Sequence, residues 1–125
     1  MPKENKKEIL IVDDDEDLCT ILSINLRAIA PIHHEHSLEG AMKYIEANHP
    51  SLVLLDNSLP DGYGVQHIAR IKELNRQGKI ILITSDTNKH LREESLSQGA
   101  QHFVCKPFSV NYFKDLVKKT MGIRS

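Results

Sequence analysis

Three short apolar runs, each closing on acidic or hydroxyl-bearing residues, constrain this chain more than any other feature. They are Ile9-Leu10-Ile11-Val12 before Asp13 and Asp14, Leu52-Val53-Leu54-Leu55 before Asp56, and Ile80-Ile81-Leu82-Ile83 before Thr84. Each is too short for a buried helix, and each is bounded by polar or turn residues. Such runs read as central strands buried on both faces, here at residues 8–12, 52–55 and 79–83. Two weaker strands are expected at 32–35 and 101–105. Longer amphipathic segments separate them, so strand and helix alternate five times. That order predicts an α/β fold: a doubly wound (βα)5 sandwich around a central five-stranded parallel sheet.

The helices follow from apolar spacing. Leu18, Ile21, Leu22 and Leu26 form one stripe; Leu38, Ala41, Met42 and Ile45 form a second, with Ser37 as its N-cap. Val65, Ile68, Ile71 and Leu74 form a third, expected to end at Gly78. Residues 88–98 offer only Leu91 and Leu96 before Gly99. Tyr112, Phe113, Leu116 and Val117 form the last stripe, capped by Ser109.

With 125 residues, the chain suits one domain spanning 1–125, with an ordered core at about 7–121. Its 16 basic and 17 acidic residues leave a net charge of -1, which argues against direct nucleic-acid binding. No apolar run could span a bilayer, and the polar start at residues 1–7 carries no secretion signal. Cys19 and Cys105 lie in apolar contexts with no metal-binding spacing, and are expected as buried free thiols in a reducing cytoplasm.

In a doubly wound sheet, ligands bind at the carboxyl ends of the strands. Those ends carry Asp13-Asp14, Asp56, Thr84-Ser85-Asp86 and Lys106-Pro107-Phe108. Crowded carboxylates repel one another unless a cation compensates them. An all-oxygen set of this kind suits Mg²⁺, which binds through one or two carboxylates, waters and phosphate oxygens. Lys106 and Thr84 add a positive charge and a hydroxyl for the oxygens of a phosphoryl group in transfer. Asp56 then reads as a nucleophile. Asp15, Glu16 and Asp17 read more simply as the acidic first turn of a helix.

Over essentially its whole length, this series resembles the receiver domains of two-component response regulators. The resemblance rests on Ile9 through Asp14, on Leu54-Leu55-Asp56 with Leu59-Pro60-Asp61-Gly62, on Ile83-Thr84-Ser85, and on Gly99-Ala100 through Lys106-Pro107-Phe108. It implies a flavodoxin-like topology and a phosphorelay function. Asp56 would accept a phosphoryl group from the phosphohistidine of a sensor histidine kinase or a histidine phosphotransfer protein. The metal, Mg²⁺ with Mn²⁺ as a substitute, would be held by Asp14, Asp56 and the backbone carbonyl of Ser58, with Asp13 acting through a metal-bound water. Thr84 and Phe103 match the switch positions, Lys106 the family's cation, and Pro107 a cis Lys-Pro bond. Ser58 and Asp86 occupy positions that tune the lifetime of the aspartyl phosphate. The fourth helix, fifth strand and last helix would form the output face for a downstream effector. The resemblance implies a cytoplasmic signalling module, a monomer or phosphorylation-dependent dimer, not an enzyme turning over a separate substrate.

Other readings fit less well. A haloacid-dehalogenase-type phosphatase wants Asp-x-Asp-x-Thr or Val at the first strand, and Asp13 through Asp17 lack the final residue. A flavodoxin-like FMN carrier wants a Ser/Thr/Gly-rich loop there. A pseudo-receiver, an interaction module without phosphotransfer, is the main alternative; retention of Asp13, Asp14, Asp56, Thr84 and Lys106 speaks against it. His34 and His36 share a strand face at a spacing that can chelate Zn²⁺, but a polar stretch near the sheet edge is the simpler expectation.

Overall fold

The computed structural model describes residues 6–123; the chain's first five and last two residues lie outside it. Five parallel strands form the central sheet: β1 (Lys6–Val12), β2 (Ile32–Glu35), β3 (Pro50–Asp56), β4 (Lys79–Thr84) and β5 (His102–Cys105). Their order across the sheet is β2-β1-β3-β4-β5. The chain leaves β1 toward one edge and, after β3, proceeds toward the other. The switch point therefore falls between β1 and β3, as the doubly wound arrangement requires.

The helices are α1 (Glu16–Leu26), α2 (Leu38–Asn48), α3 (Ile68–Leu74), α4 (Lys89–Gln98) and α5 (Val110–Thr120). Side chains alternate across each strand, and the apolar runs divide accordingly between two cores. Leu10, Val12, Val53, Leu55, Ile80 and Leu82 meet α2 and α3 through Leu38, Ala41, Ile45, Ile68 and Ile71. Ile9, Ile11, Leu52, Leu54, Ile81 and Ile83 meet α1 and α5 through Cys19, Leu22, Leu26, Phe113 and Val117. Burial on both faces explains why the central strands are continuous apolar runs rather than alternating ones.

Several helix boundaries differ from the sequence expectation. Val65 lies in a 3-10 turn, Gly64–His67, and the α-helix proper starts at Ile68. Gly78 does not end α3; Asn75 does, with its backbone N–H on the Ile71 carbonyl. The Asn75 side chain also donates to the Pro50 carbonyl at 2.8 Å, holding the turn that feeds β4 against the start of β3. The stripes are narrower than their spacing suggests. Ile21 and Tyr112 are exposed, because the sheet covers only the part of each helix that faces it. Cys19 is buried, but Cys105 is only half-buried at the end of the edge strand β5. Ser37 and Ser109 cap α2 and α5 as expected, accepting from the Gly40 and Tyr112 amides.

Candidate functional site

The strand ends place the predicted residues at one edge of the sheet. Asp56 is the last residue of β3, paired with Ile83, and Thr84 is the last of β4, paired with Cys105. Both are therefore held by the ladder itself, one step earlier than the loop positions the sequence suggested. Asp13 follows β1, and its amide donates to the Glu35 carbonyl at 3.1 Å. The Lys106 amide donates to the Thr84 carbonyl at 2.7 Å, which fixes where the lysine stem departs. The Lys106-Pro107 bond is cis.

Lys106 connects the ends of three strands. Its Nζ lies 3.1 Å from Asp13 Oδ2 and 3.3 Å from Asp56 Oδ1. Burial alone would depress the lysine's pKa, but the two carboxylates outweigh it and hold the pKa above its ordinary value. One ammonium does not compensate the carboxylates in return. Burial, then the charge of Asp13, push the Asp56 carboxyl up to about 6, with Lys106 opposing and Asp14 adding a little. Oxygens of Asp13, Asp14 and Asp56 all lie within 4.8 Å of one another, the first and last buried and Asp14 exposed. These residues line an open cleft of about 630 Å³ together with Asp15, Ser58, Thr84, Ser85, Asp86 and Lys106. A carboxylate cluster left under-compensated, beside a cleft with room for waters, fits a hard divalent cation.

The acidic residues after Asp14 have local roles. Asp15 caps α1 by accepting from the Leu18 amide at 3.2 Å, while Asp13 Oδ1 accepts from the Asp15 amide at 2.9 Å. The Thr84 hydroxyl is buried and accepts from the Asp86 amide at 3.0 Å, turned toward its own loop. The Asp86 carboxylate accepts from the Asn88 amide at 2.8 Å, shaping the turn into α4. Phe103 is half-buried and packs against the α2–α3 core.

Three contributors escaped the sequence reading. Asn57 stitches the loop after β3 back onto itself: its carbonyl accepts from Gly64 at 2.9 Å and its Oδ1 from Val65 at 3.0 Å. Gly64 is required by proximity, since a Cβ there would stand 2.5 Å from the Asp56 carbonyl oxygen. Asp61 reaches across to the first turn of α2, accepting from the Leu38 and Glu39 amides at 2.9 Å each. Those two amides hold its carboxyl below the usual range. An Asp-Gly turn was visible in the sequence, but its distant helix terminus was not.

The model of the response regulator receiver domain matches residues 9–118. The transcriptional regulatory protein CitB of Klebsiella pneumoniae is 32% identical over 119 residues, covering 93% of this chain and 51% of that protein. The sporulation initiation phosphotransferase F of Bacillus subtilis (strain 168) is 28% identical over 121 residues, covering 95% and 97%. A receiver domain protein (CheY-like) from Methanospirillum hungatei JF-1 superposes with a TM-score of 0.88 at 25% identity, covering 93% and 94%. The chain thus spans about half of one relative and nearly all of the other. It belongs to the receiver domain family of two-component response regulators. Its sheet and helices are those of the CheY-like flavodoxin fold.

Proposed function

We propose that Asp56 accepts a phosphoryl group from the phosphohistidine of a sensor histidine kinase or histidine phosphotransfer protein, in a reaction that requires Mg²⁺. The observation that carries this reading is Lys106 Nζ between Asp13 and Asp56 at the switch point of the sheet, with Asp14 within reach. In the transfer, an Asp56 carboxylate oxygen attacks phosphorus, the P–N bond breaks, and the imidazole leaves, taking up a proton. Lys106 lies where it can accompany the phosphoryl oxygens. Thr84 reaches them by giving up the Asp86 amide it now holds. Asp14, Asp56 and the Ser58 carbonyl, with Asp13 through a bound water, would hold a divalent cation, which would supply the remaining positive charge.

The loop from Thr84 to α4 is the natural route outward. Release of the Asp86 amide by Thr84 frees the turn before α4, and Phe103 moves inward with it. The face made by α4, β5 and α5 then presents a changed surface to an effector, a shift between two populations. Asp86 and Ser58, both on the cleft, tune how long the aspartyl phosphate lasts. We take the chain as a single signalling domain that promotes its own phosphorylation and dephosphorylation but turns over no separate substrate. No helix among the described residues is long and apolar enough to cross a membrane. The two free cysteines, Cys19 and Cys105, fit a reducing, cytoplasmic setting.

Incubation with acetyl phosphate tests the proposal. The chain should gain an acid-stable, base-labile phosphoryl group with Mg²⁺ present, lose that ability on chelation, and gain none as Asp56→Asn. Labelling of Asp56→Asn, or labelling indifferent to Mg²⁺, would refute it. No labelling of the wild type would favour the pseudo-receiver.

A further inference from the structure

The face of the sheet opposite α2 and α3 carries a second constellation of ligands, separate in chemistry from the acidic cleft. Ile11 pairs in register with His34 and belongs to the α1–α5 core, so His34 projects toward α1. His36, two residues on, lies on the same side just past the end of β2. Cys19, in the second turn of α1, meets them there. One ligand atom from each of Cys19, His34 and His36 lies within 4.8 Å of the others. They line a cavity of about 230 Å³ with Glu16 and Thr20, and the exposed His36 leaves it accessible from solvent.

The surroundings orient His34, while burial and the charge of Asp13 push the Cys19 thiol up to about 11, so its proton leaves only to an ion. Ser23 has one hydroxyl hydrogen and directs it to the Cys19 carbonyl at 2.8 Å. Its contact with His34 Nε2 therefore uses a Ser23 lone pair and places the imidazole proton on Nε2. Burial, with His36 and His33 nearby, lowers the His34 pKa and favours the neutral ring, which keeps a lone pair on Nδ1, and the Ser23 hydroxyl orients that ring in the manner of metal-binding histidines. The Cys19 thiol lies 3.5 Å from the Asp13 carbonyl, and no disulfide occupies it.

We propose that Cys19, His34 and His36 form a binding site for a borderline-soft divalent ion, of which Zn²⁺ is the representative. One thiolate and two imidazoles select such an ion over Mg²⁺, which prefers oxygen. Tetrahedral Zn²⁺, with Zn–S of about 2.3 Å and Zn–N of about 2.0–2.1 Å, sets its ligand atoms roughly 3.4–3.6 Å apart. The three ligand atoms, within 4.8 Å of one another, draw together to that spacing on binding, His36 most freely because its side chain is exposed. The ion displaces the thiol proton to solvent, so the bound form is thiolate. The fourth position falls to water or to Glu16.

Co²⁺, which reports thiolate coordination by a charge-transfer absorption, is the probe. It is added to the full chain in saturating Mg²⁺, which keeps Asp13, Asp14 and Asp56 occupied. The proposal expects one Co²⁺ per chain, a thiolate band displaced by Zn²⁺, and persistence of that band in Cys105→Ser. The band should vanish in Cys19→Ser, and affinity should fall at least tenfold in His36→Ala. Absence of the band, its survival in Cys19→Ser, or affinity unchanged in His36→Ala overturns the site. Should Cys19→Ser lose its folded circular-dichroism signal, His36→Ala decides alone, because that side chain is exposed and carries no core packing.

Discussion

Asp56 is buried to all but 5% of its surface, beside another carboxylate, and one lysine cannot offset both effects. The residue is therefore a reactive group maintained at a cost to the metal-free fold. Its carboxyl titrates at about 6 in the native state and near its ordinary value of about 4 in the unfolded chain. Between those values the native state holds more protons, so stability falls as pH rises through that window. Above it the cost is complete, on the order of 2–3 kcal/mol. Asp56→Asn removes the ionisation while keeping the shape and leaves Lys106 paired with Asp13. In chelator, urea melts should show Asp56→Asn more stable than wild type at pH 8 by about 2 kcal/mol, with the advantage gone near pH 4. An advantage equal at both pH values would show that desolvation of Asp56 is not the cause.

Among the helices, α4 is the least anchored. Only Ser95 is buried along it; Leu91 is half-buried and Leu96 is 38% exposed. It forms because Asn88 caps it, accepting from the His90 amide at 2.8 Å, and because Gly99 closes it at φ 121°, where a side chain would be strained. The Lys89–Glu93 pair at 3.9 Å is exposed and contributes little. A helix held by its ends rather than its face opens at low cost. Native-state amide exchange should therefore be faster across Lys89–Gln98 than across α1 or α5, and a phosphoryl mimic should change it there first. Uniform protection in all helices, unmoved by the mimic, would contradict that role.

The thin stripe of α4 was legible in the sequence, as were the central strands, because burial on both faces leaves no other pattern open to Ile9–Val12 or Ile80–Ile83. Spacing could not show that Ser95, rather than Leu96, turns inward, since neighbouring elements choose the face. It also could not distinguish the 3-10 turn at Val65 from the start of α3, as both place Val65 and Ile68 on one side. The acidic cleft was legible because each member ends a strand. Asn57, Asp61 and Cys19 were not, because each acts through a partner that only the fold brings near.

At the scale of the whole molecule, the site joins parts of the chain that are far apart in sequence. Asp13 and Asp14 follow β1, Asp56 ends β3, and Lys106 follows β5 at the far edge of the sheet. Unfolding any of these strands disperses the cation ligands or removes the ammonium. A cation bound to the three carboxylates is therefore linked to global unfolding rather than to a local loop. It also offsets the burial and the repulsion that together raise the Asp56 pKa, so the ion and the fold favour each other. At a Mg²⁺ concentration ten times its dissociation constant, this linkage should add about 1.4 kcal/mol to the unfolding free energy at neutral pH. Asp14→Asn, on an exposed residue, should keep the fold and lose most of that increment. Lys106→Met should keep the increment, because it removes a positive charge that competes with the ion, but should lose phosphorylation by acetyl phosphate. Calorimetric melts across a Mg²⁺ series, run beside the labelling assay, separate the two roles. If Asp14→Asn retained the full increment, the ion would be bound elsewhere; if Lys106→Met labelled as well as wild type, the lysine would serve the fold and not the transfer.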